Sequence, residues 1–528
     1  MNDSSNIEPR LYDLAVVGGG INGVGIAADA AGRGLSVFLC ERDDLASHTS
    51  SASSKLIHGG LRYLEHHEFR LVREALAERE VLLEMAPHIV KPMRFVLPHR
   101  PHLRPAWLIR AALLLYDNLG KREKLPPSRS VRFAADSPLK PQIRRGFEYS
   151  DCWVDDARLV IVNAMAARER GAEIHTRTRC LSARRLDGHW QLELQGPDGR
   201  AFSIRARALV NAAGPWVAAF IANNLHLHAP HGIRLIKGGH VIVPQLYPGE
   251  QAYILQNEDR RIVFAIPYLG RFTMIGTTDS EYRGDPARVR IDVEEVDYLL
   301  GVANAHFRHQ LSAADVVHSF AGVRPLCDDE ADNPSAITRD YTLSLDAPPG
   351  EAPLLSVFGG KLTTYRKLAE AALSQLKPYF AQMDASWTAH SHLPGGEQMT
   401  TPQALASELL ARVEGLEPAL AQRWASTYGS RSWRMLGAAR TLAELGEDLG
   451  QGLLEAEADY LCREEWAIDA DDILWRRSKL GLAFSAADRA RLQGWLRQRT
   501  PSGASAVSAP RSAAQAPGQT AGDPLHGI

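Results

Sequence analysis

Apolar runs and glycine turns near the N-terminus predict a strand, a helix and a second strand. Residues 12–17 are almost entirely apolar and lead into three consecutive glycines at 18–20. Residues 21–34 hold small and apolar side chains at helical spacing, and residues 35–40 form a second apolar run that is closed by Glu41. Apolar strands on both sides of a helix are typical of a parallel sheet that is covered on both faces.

Further runs predict more strands of the same sheet. Residues 173–176 and 190–194 alternate between apolar and polar side chains, which predicts short strands of an antiparallel meander. Residues 208–213 and 354–358 are apolar except for Asn211 and Ser356, and each run leads into a glycine turn. These two runs are therefore predicted to be buried strands that return to the edge where the first glycine turn lies.

Residues 105–116 predict a strongly apolar helix between basic flanks. The flanking cations are Arg100, Arg104, Lys121, Arg122 and Lys124. Such a helix can lie in a membrane interface, or it can be buried with basic loops at its ends, and we favour the buried helix. No stretch reaches the roughly 18 uninterrupted apolar residues that suggest a transmembrane helix.

The chain is predicted to be α/β, with a Rossmann-like domain, an antiparallel β substrate domain and a helical C-terminal domain. Short β-rich runs between 232 and 325 predict the second domain. Thr401 as an N-cap, with Pro402 at the first helical position, opens the third. The predicted ranges are 10–90, 150–231 and 326–398 for the first domain, 91–149 and 232–325 for the second, 399–498 for the third, and 499–528 for a disordered tail.

Composition excludes several classes of protein. The 528 residues are 45% hydrophobic and 23% charged, which is an ordinary globular balance, and a net charge of −2 argues against nucleic acid as a partner. The five cysteines are far apart and form no C-x-x-C pair, so we expect neither a metal site nor a disulfide framework. The polar N-terminus does not have the pattern of a signal peptide.

The first glycine turn has the spacing of a dinucleotide-binding site. Gly18 would make the tight turn, Gly20 would let the backbone approach a pyrophosphate, and Gly23 would let the helix pack closely on the strand. Glu41 is placed to accept hydrogen bonds from a ribose. No second fingerprint of this kind follows a later strand. The chain therefore uses NAD alone, or it holds FAD and exchanges electrons with something other than NAD(P)H.

Two stretches resemble motifs of the FAD-dependent, aerobic glycerol-3-phosphate dehydrogenases of bacteria. Residues 17–34 resemble the N-terminal motif of that family, and residues 359–369 resemble its second motif. The resemblance continues through residues 53–64, 149–156, 322–326 and 338–340. It covers roughly residues 10 to 498, and the tail lies outside it.

The resemblance implies a reaction, a cofactor and partners. The cofactor is non-covalent FAD, and the reaction is oxidation of sn-glycerol 3-phosphate to dihydroxyacetone phosphate by hydride transfer from C2 to N5 of FAD. Electrons then pass to a membrane quinone, either ubiquinone or menaquinone. The resemblance also implies a homodimer at the membrane surface, peripheral on the cytoplasmic face of the inner membrane.

The same motifs, together with Glu41, Gly214 and His240, supply candidate site residues. His58 and His240 are the two candidates for the base, because histidine titrates near neutral pH, and the choice between them stays open. Arg324 is a candidate for both catalysis and phosphate binding. The substrate candidates are Arg62, Tyr63, Arg324, Arg339 and Lys361. The candidates for FAD binding are Gly18, Gly20, Gly23, Glu41, Ser53, Ser54, Gly214, Gly360, Leu362 and Thr363.

Three alternatives stay open at this point. An oxidase of the same fold would pass electrons to oxygen, with almost the same residues near FAD. In an amine or hydroxy-acid oxidase, Arg324 would hold a carboxylate in place of a phosphate. A flavin-dependent binding module without turnover would use the C-terminal domain for interaction.

Overall fold

The computed structural model describes residues 10–61, 64, 68–100, 102–120, 122–259, 261–328 and 340–499. The strands of these residues are β1 Leu11–Val17, β2 Val37–Cys40, β3 Leu56–Ile57, β4 Val90–Pro98, β5 Arg129–Arg132, β6 Arg145–Val154, β7 Glu173–His175, β8 Arg179–Leu186, β9 His189–Gln195, β10 Ala201–Asn211, β11 Ile233–Pro244, β12 Ala252–Gln256, β13 Ile262–Tyr268, β14 Phe272–Gly276, β15 Ser280–Tyr282, β16 His318–Cys327, β17 Thr342–Asp346 and β18 Leu354–Phe358. The α-helices are α1 Ile21–Gly32, α2 Phe69–Met85, α3 Ala106–Asn118, α4 Asp156–Glu169, α5 Val217–Asn224, α6 Val293–His306, α7 Tyr365–Leu376, α8 Pro402–Arg412, α9 Pro418–Thr427, α10 Ser432–Leu436, α11 Glu455–Glu464 and α12 Ala486–Arg499.

The first sheet contains the parallel strands predicted for the Rossmann-like domain. Its strand order is β17-β18-β10-β1-β2-β7, and β18, β10, β1, β2 and β7 run parallel. Helix α1 packs between α4 and α7, and nearly all of its residues are buried, which explains its small and apolar sequence. The turns after β1, β10 and β18 lie at the carboxyl ends of neighbouring parallel strands, where open α/β sheets bind ligands.

One strand of this sheet corrects the sequence analysis. Residues 173–176 were expected in an antiparallel meander, but β7 pairs in parallel with β2. The meander consists of β8, β9 and β10. The expectation was wrong because alternation shows which face of a strand is buried and does not identify its neighbour. Helix α4 precedes β7 and delivers it to the free edge of β2 as a parallel strand.

The second sheet has the order β15-β11-β14-β13-β12-β4-β6-β3, with β16 on β11 and β5 on β6. Its register places three site positions together. On β11 and β16, His240 lies opposite Phe320, and Ile236 lies opposite Arg324. Residues two apart along a strand share a face, so His240, Phe320 and Arg324 project to the same side of the sheet.

The division of the strands between two sheets supports the predicted division into domains, whose boundaries stay a prediction. Residues 56–57 and 150–154 were assigned to the cofactor domain, but they pair within the second sheet as β3 and the end of β6. The predicted helical domain contains α8 to α12 around its own buried cluster, and Thr401 caps α8 as expected. Of the predicted tail, Arg499 is the last residue of α12, and residues 500–528 lie outside the described residues.

Helix α3 is a second correction. It was expected to be buried, but only Ile109, Leu113 and Tyr116 are covered, whereas Trp107 is 72% exposed and Leu114 is 48% exposed. Hydrophobicity along the sequence does not reveal whether the folded chain supplies a cover for every face of a helix. Among the described residues, no helix is long and apolar enough to cross a bilayer.

Candidate active site

A cavity of about 910 Å³ runs between the first and second sheets. Its lining includes turns at the carboxyl ends of β1, β2, β10 and β18, and side chains from β11 and β16. The predicted site residues that line it are Gly18, Gly20, Glu41, Ser53, Ser54, His58, Gly214, His240, Arg324, Gly360, Lys361, Leu362 and Thr363. Arg62, Tyr63 and Arg339 lie outside the described residues, so their predicted roles stay predictions.

The turn after β1 is built so closely that side chains would not fit. Gly18 has φ of +116°, and a Cβ there would lie 2.4 Å from the carbonyl oxygen of Ala212. A Cβ on Gly23 would lie 1.9 Å from the carbonyl oxygen of Gly18. Gly23 itself does not line the cavity, so its role is to let α1 start directly against the turn. The positive end of α1 then faces the cavity at Gly20.

Glu41 follows β2 and is fixed by backbone donors. Its Oε2 accepts the N–H of Gly19 at 2.7 Å, and its Oε1 accepts the N–H of Asp43 at 2.9 Å. Burial raises the pKa of the Glu41 carboxyl, although these two hydrogen bonds act in the opposite direction. The side chain lines the cavity where a nucleotide ribose would be expected.

The sequence analysis missed three aromatic or basic side chains beside Glu41. The guanidinium carbon of Arg42 lies 3.9 Å from the ring centroid of Trp216, and the ring of His48 lies 4.8 Å from the same ring. All three line the cavity. Trp216 lies just after the predicted glycine turn at Gly214, so its position at the sheet edge was the signal that could have identified it.

The second motif joins the first at the cavity. The side-chain amide of Asn22, in α1, donates to the carbonyl oxygen of Gly359 at 3.1 Å. Gly360, Leu362 and Thr363 line the cavity just before α7 begins. The starts of α1 and α7 are therefore held beside each other, and both can offer backbone N–H groups to an anionic or electron-rich ligand.

His240 is the more deeply buried of the two candidate bases. It is 2% exposed, its ring stacks on Phe320 with centroids 4.8 Å apart, and its Nε2 shares a hydrogen bond of 2.9 Å with the hydroxyl of Ser54. Nδ1 makes no hydrogen bond within the described residues. Burial, with the nearby charges of Lys55 and Arg324, lowers the pKa of His240 to about 3. The imidazole is therefore neutral, and the same burial and charges make it a weak base.

His58 lies in a turn that is held from two sides. Its backbone N–H approaches the hydroxyl of Thr363 at 3.4 Å, and the next N–H, of Gly59, donates to the hydroxyl of Tyr116 at 2.8 Å. Its ring lies edge-on to Phe264, with centroids 6.4 Å apart. Both histidines line the cavity, so the geometry leaves the choice of the base open.

Arg324 and Lys361 bring positive charge to the cavity wall. Arg324 forms an ion pair with Asp279, and its second terminal nitrogen donates to the hydroxyl of Thr277 at 3.3 Å. A Cβ on Gly238 would lie 2.5 Å from the same nitrogen, so the glycine on the neighbouring strand makes room for the guanidinium. Arg324 is 30% exposed, which leaves it accessible to an anion in the cavity.

Ser53 and Ser54 lie in the cavity wall with their hydroxyls engaged by the protein. The Ser53 hydroxyl donates to Oδ2 of Asp156 at 2.7 Å, and the Ser54 hydroxyl is bonded to His240. Asp156 also accepts from Nζ of Lys55 at 2.7 Å. Their predicted contact with FAD stays a prediction.

The residues present fit FAD. A side chain on Gly18 or Gly23 would collide with backbone where the predicted pyrophosphate approaches, and Glu41 lies at the end of the adjacent strand. The cavity continues past the turn before α7, so it can hold a molecule longer than a mononucleotide.

The lining of the cavity extends to α3 through a set of apolar side chains, which we call the apolar branch. Side chains along this branch are Leu61, Leu64, Leu97, Leu108, Ala112, Leu115, Ile254, Ile262 and Phe264. Leu108 and Leu115 are 45% and 41% exposed, so the branch ends at the uncovered face of α3.

Comparison with known families gives two matches. Residues 13–366 match the family of FAD dependent oxidoreductases, and residues 386–493 match the C-terminal domain of alpha-glycerophosphate oxidase. The first match covers more than half of the chain, and the second covers most of the helical domain.

Curated relatives align over nearly the full chain. A glycerol-3-phosphate dehydrogenase of Pseudomonas aeruginosa is 71% identical over 93% of this chain and 96% of its own length. The aerobic glycerol-3-phosphate dehydrogenase of Escherichia coli is 60% identical over 92% and 98% of the two chains. A D-erythritol 1-phosphate dehydrogenase of Brucella abortus is 51% identical over 92% and 98%.

A solved structure has the same architecture. The glycerol-3-phosphate dehydrogenase of Bacillus halodurans in complex with FAD superposes with a TM-score of 0.67 and 26% identity, covering 92% of this chain and 94% of that one.

Proposed function

The chain belongs to the FAD-dependent glycerol-3-phosphate dehydrogenases, and on that premise we propose that it oxidises sn-glycerol 3-phosphate to dihydroxyacetone phosphate. The observation that carries this proposal is one cavity whose lining combines a part that fits FAD with a part that carries basic side chains. Glycine turns and the starts of α1 and α7 form the wall that fits FAD, and His58, His240, Arg324 and Lys361 approach the same cavity elsewhere. FAD, when bound, supplies N5 as the acceptor of a hydride from C2 of the substrate.

The remaining steps belong to side chains of the protein. Arg324 and Lys361 bind the phosphate dianion and so fix the orientation of C2. A neutral histidine accepts the proton of the C2 hydroxyl. His58 and His240 both stay candidates, and the lowered pKa of His240 makes that imidazole a weak base. Arg62, Tyr63 and Arg339 are proposed to complete the substrate site, as their motifs imply.

A substrate panel tests the recognition of phosphate. With a soluble quinone analogue as acceptor, we expect sn-glycerol 3-phosphate to give the highest kcat/KM, above D-erythritol 1-phosphate, which the Brucella relative oxidises. Glycerol 2-phosphate should compete, and lactate and glycine should not, because the cations of the cavity wall are proposed to hold a dianion. Competition by lactate or glycine without competition by glycerol 2-phosphate would favour an amine or hydroxy-acid oxidase.

We propose that the electrons leave through the apolar branch to a membrane quinone. Two observations support this. The sequence has no second dinucleotide fingerprint, and the branch offers an apolar path from the cavity to α3. A lipid-soluble acceptor fits both. We also propose that the protein is a homodimer and that its domains have the boundaries predicted from the sequence.

We propose that the protein binds the cytoplasmic face of the membrane peripherally through α3. The exposed apolar side chains of α3 are Trp107, Leu108, Leu114 and Leu115. Basic residues flank this helix, which is the pattern of a helix lying in an anionic lipid interface.

Replacing Trp107 by glutamate should lower binding to vesicles of mixed zwitterionic and anionic phospholipids by about tenfold or more, because it removes apolar area and adds repulsion. Co-sedimentation measures this. The control is Trp433→Glu, which changes a 37% exposed tryptophan in the helical domain. An equal loss in both variants, or no loss in Trp107→Glu, contradicts membrane binding through α3.

A further inference from the structure

One segment of the helical domain reaches the elements that hold the candidate active site. This segment, residues 472–482, begins with a π-helical turn at Asp472–Arg477. Arg477 donates to Asp44, in the loop after β2, at 2.8 Å. The ring of Trp475 stacks on His318, the first residue of β16, with centroids 4.6 Å apart. Strand β16 also carries Phe320 and Arg324, so this segment contacts a strand that positions residues of the candidate site.

Lys479 is the residue of this segment that pairs with Asp155, the N-cap of α4. Its side chain is 9% exposed, and its Nζ lies 3.1 Å from Oδ1 of Asp155. It also donates to the carbonyl oxygen of Trp475 at 3.0 Å. Its backbone has φ of +60°, a conformation that glycine would adopt with less strain. A lysine at this position keeps an ammonium where the backbone alone would favour glycine.

Asp156, the residue after Asp155, is bonded to the loop of residues 53–55. Asp156 is fully buried, and its carboxylate accepts from Lys55 and from both the hydroxyl and the backbone N–H of Ser53. Burial opposes ionisation of Asp156, but the charges of Lys55 and Lys479 outweigh it and lower the pKa. Lys55 also has a left-handed backbone, with φ of +58°.

The loop held in this way carries the hydrogen-bond partner of His240. Ser54 lies between Ser53 and Lys55, and its hydroxyl is bonded to Nε2 of His240 at 2.9 Å. The other support of the imidazole is Phe320, whose ring also lies 5.5 Å from Nζ of Lys55. The Ser54 support of His240 therefore depends on the position of the Lys55 loop, and the Phe320 support lies in contact with it.

We propose that Lys479 is a positioning residue, through which the helical domain holds residues 53–55 and thereby orients His240. Its ammonium pairs with Asp155, the neighbour of Asp156 in the chain, while Lys55 pairs with Asp156 directly. Removing the Lys479 ammonium leaves two neighbouring buried carboxylates with less compensating charge. The Ser53 and Lys55 contacts then loosen, and the orientation of Ser54 and His240 is lost. The catalytic part of this proposal rests on the proposed function.

The test compares Lys479→Met and Lys479→Gln with Lys479→Arg in the full-length protein with FAD bound. Anaerobic stopped-flow measures the rate constant of flavin reduction at saturating sn-glycerol 3-phosphate, together with the substrate Kd. Hydrogen exchange measured by mass spectrometry follows the amides of residues 53–55. These include the Ser53 N–H, which donates to Asp156, and the Lys55 N–H, which donates to the Ser53 hydroxyl.

The expected result separates positioning from folding. Lys479→Met and Lys479→Gln should lower the rate constant by about tenfold or more, with Kd and FAD content unchanged, and residues 53–55 should exchange faster. Lys479→Arg should recover both readouts. The Lys479→Met loss should also shrink in an Asp155→Asn background, since asparagine still caps α4 but carries no charge.

The control is Arg168→Gln, which removes a domain-to-domain ion pair of 3.0 Å with Glu464, away from Lys479. An unchanged exchange rate and rate constant in both Lys479→Met and Lys479→Gln, or equal changes in Arg168→Gln, would overturn the proposal. Exchange needs no substrate, so it decides the inference even if sn-glycerol 3-phosphate fails to reduce the wild-type flavin. That failure would reject the proposed function instead.

Discussion

Replacing Arg324 by alanine is expected to lower kcat/KM for sn-glycerol 3-phosphate by about 100-fold or more, since a guanidinium fork makes charge-assisted hydrogen bonds to phosphate. FAD should stay bound, because Arg324 projects from β16 and the glycine turns of the first sheet are untouched. The loss of kcat/KM should also be larger than the loss expected from removing one positive charge alone. Asp279, now paired with Arg324, would be left facing the phosphate. Steady-state kinetics and the flavin spectrum measure both parts.

The matched control is Arg234→Ala on the neighbouring strand. Arg234 lies opposite Leu326 on β16, is 17% exposed and pairs with Glu281 at 3.6 Å. Arg234 does not line the cavity. Its replacement should therefore leave kcat/KM within about twofold of the wild-type value, as is usual for substitutions away from a functional site. If Arg324→Ala behaves like Arg234→Ala, Arg324 is not part of the substrate site.

Replacing Gly23 by alanine should produce protein that purifies with little FAD. The new Cβ would lie 1.9 Å from the carbonyl oxygen of Gly18, and backbone cannot move aside as a flexible side chain can. The turn that faces the pyrophosphate must therefore deform, and we expect FAD affinity to fall by about 100-fold, the upper range for overpacking. The ratio of flavin to protein absorbance, with fluorescence titration of the FAD-free protein, measures this loss.

Gly301→Ala is the control for a glycine-to-alanine change within a helix. Gly301 lies in α6, and its added Cβ would meet nothing within 4 Å. Alanine should stabilise that helix by about 1 kcal/mol without changing FAD content. If Gly23→Ala retains full FAD content, the close turn after β1 is not the cofactor cradle.

The parts of the site that the sequence could predict are those where backbone geometry demands a residue type. The spacing of Gly18, Gly20 and Gly23 predicted the turn, because that turn is made of close backbone contacts. Apolar runs ending in glycine also predicted that Gly214 and Gly360 would meet at the same sheet edge, since parallel strands bring their carboxyl ends together.

The parts that could not be predicted depend on contacts between distant segments. The pairing of Ser54 with His240, and the approach of Lys479 to Asp155, join residues with no shared pattern. The exposure of Trp107 depends on which elements pack over α3, and apolarity alone suggested a buried helix. Register along β11 and β16 decides that Arg324 and His240 share a face, and register follows from pairing partners that the sequence does not name.

The most direct test of the central claim is anaerobic addition of sn-glycerol 3-phosphate to the purified yellow protein, followed by a quinone analogue or oxygen. We expect the flavin absorbance to bleach, then to recover fast with the quinone analogue and slowly with oxygen. Fast recovery with oxygen would make the protein an oxidase. A flavin that stays yellow with FAD bound and sn-glycerol 3-phosphate present would contradict the proposed substrate.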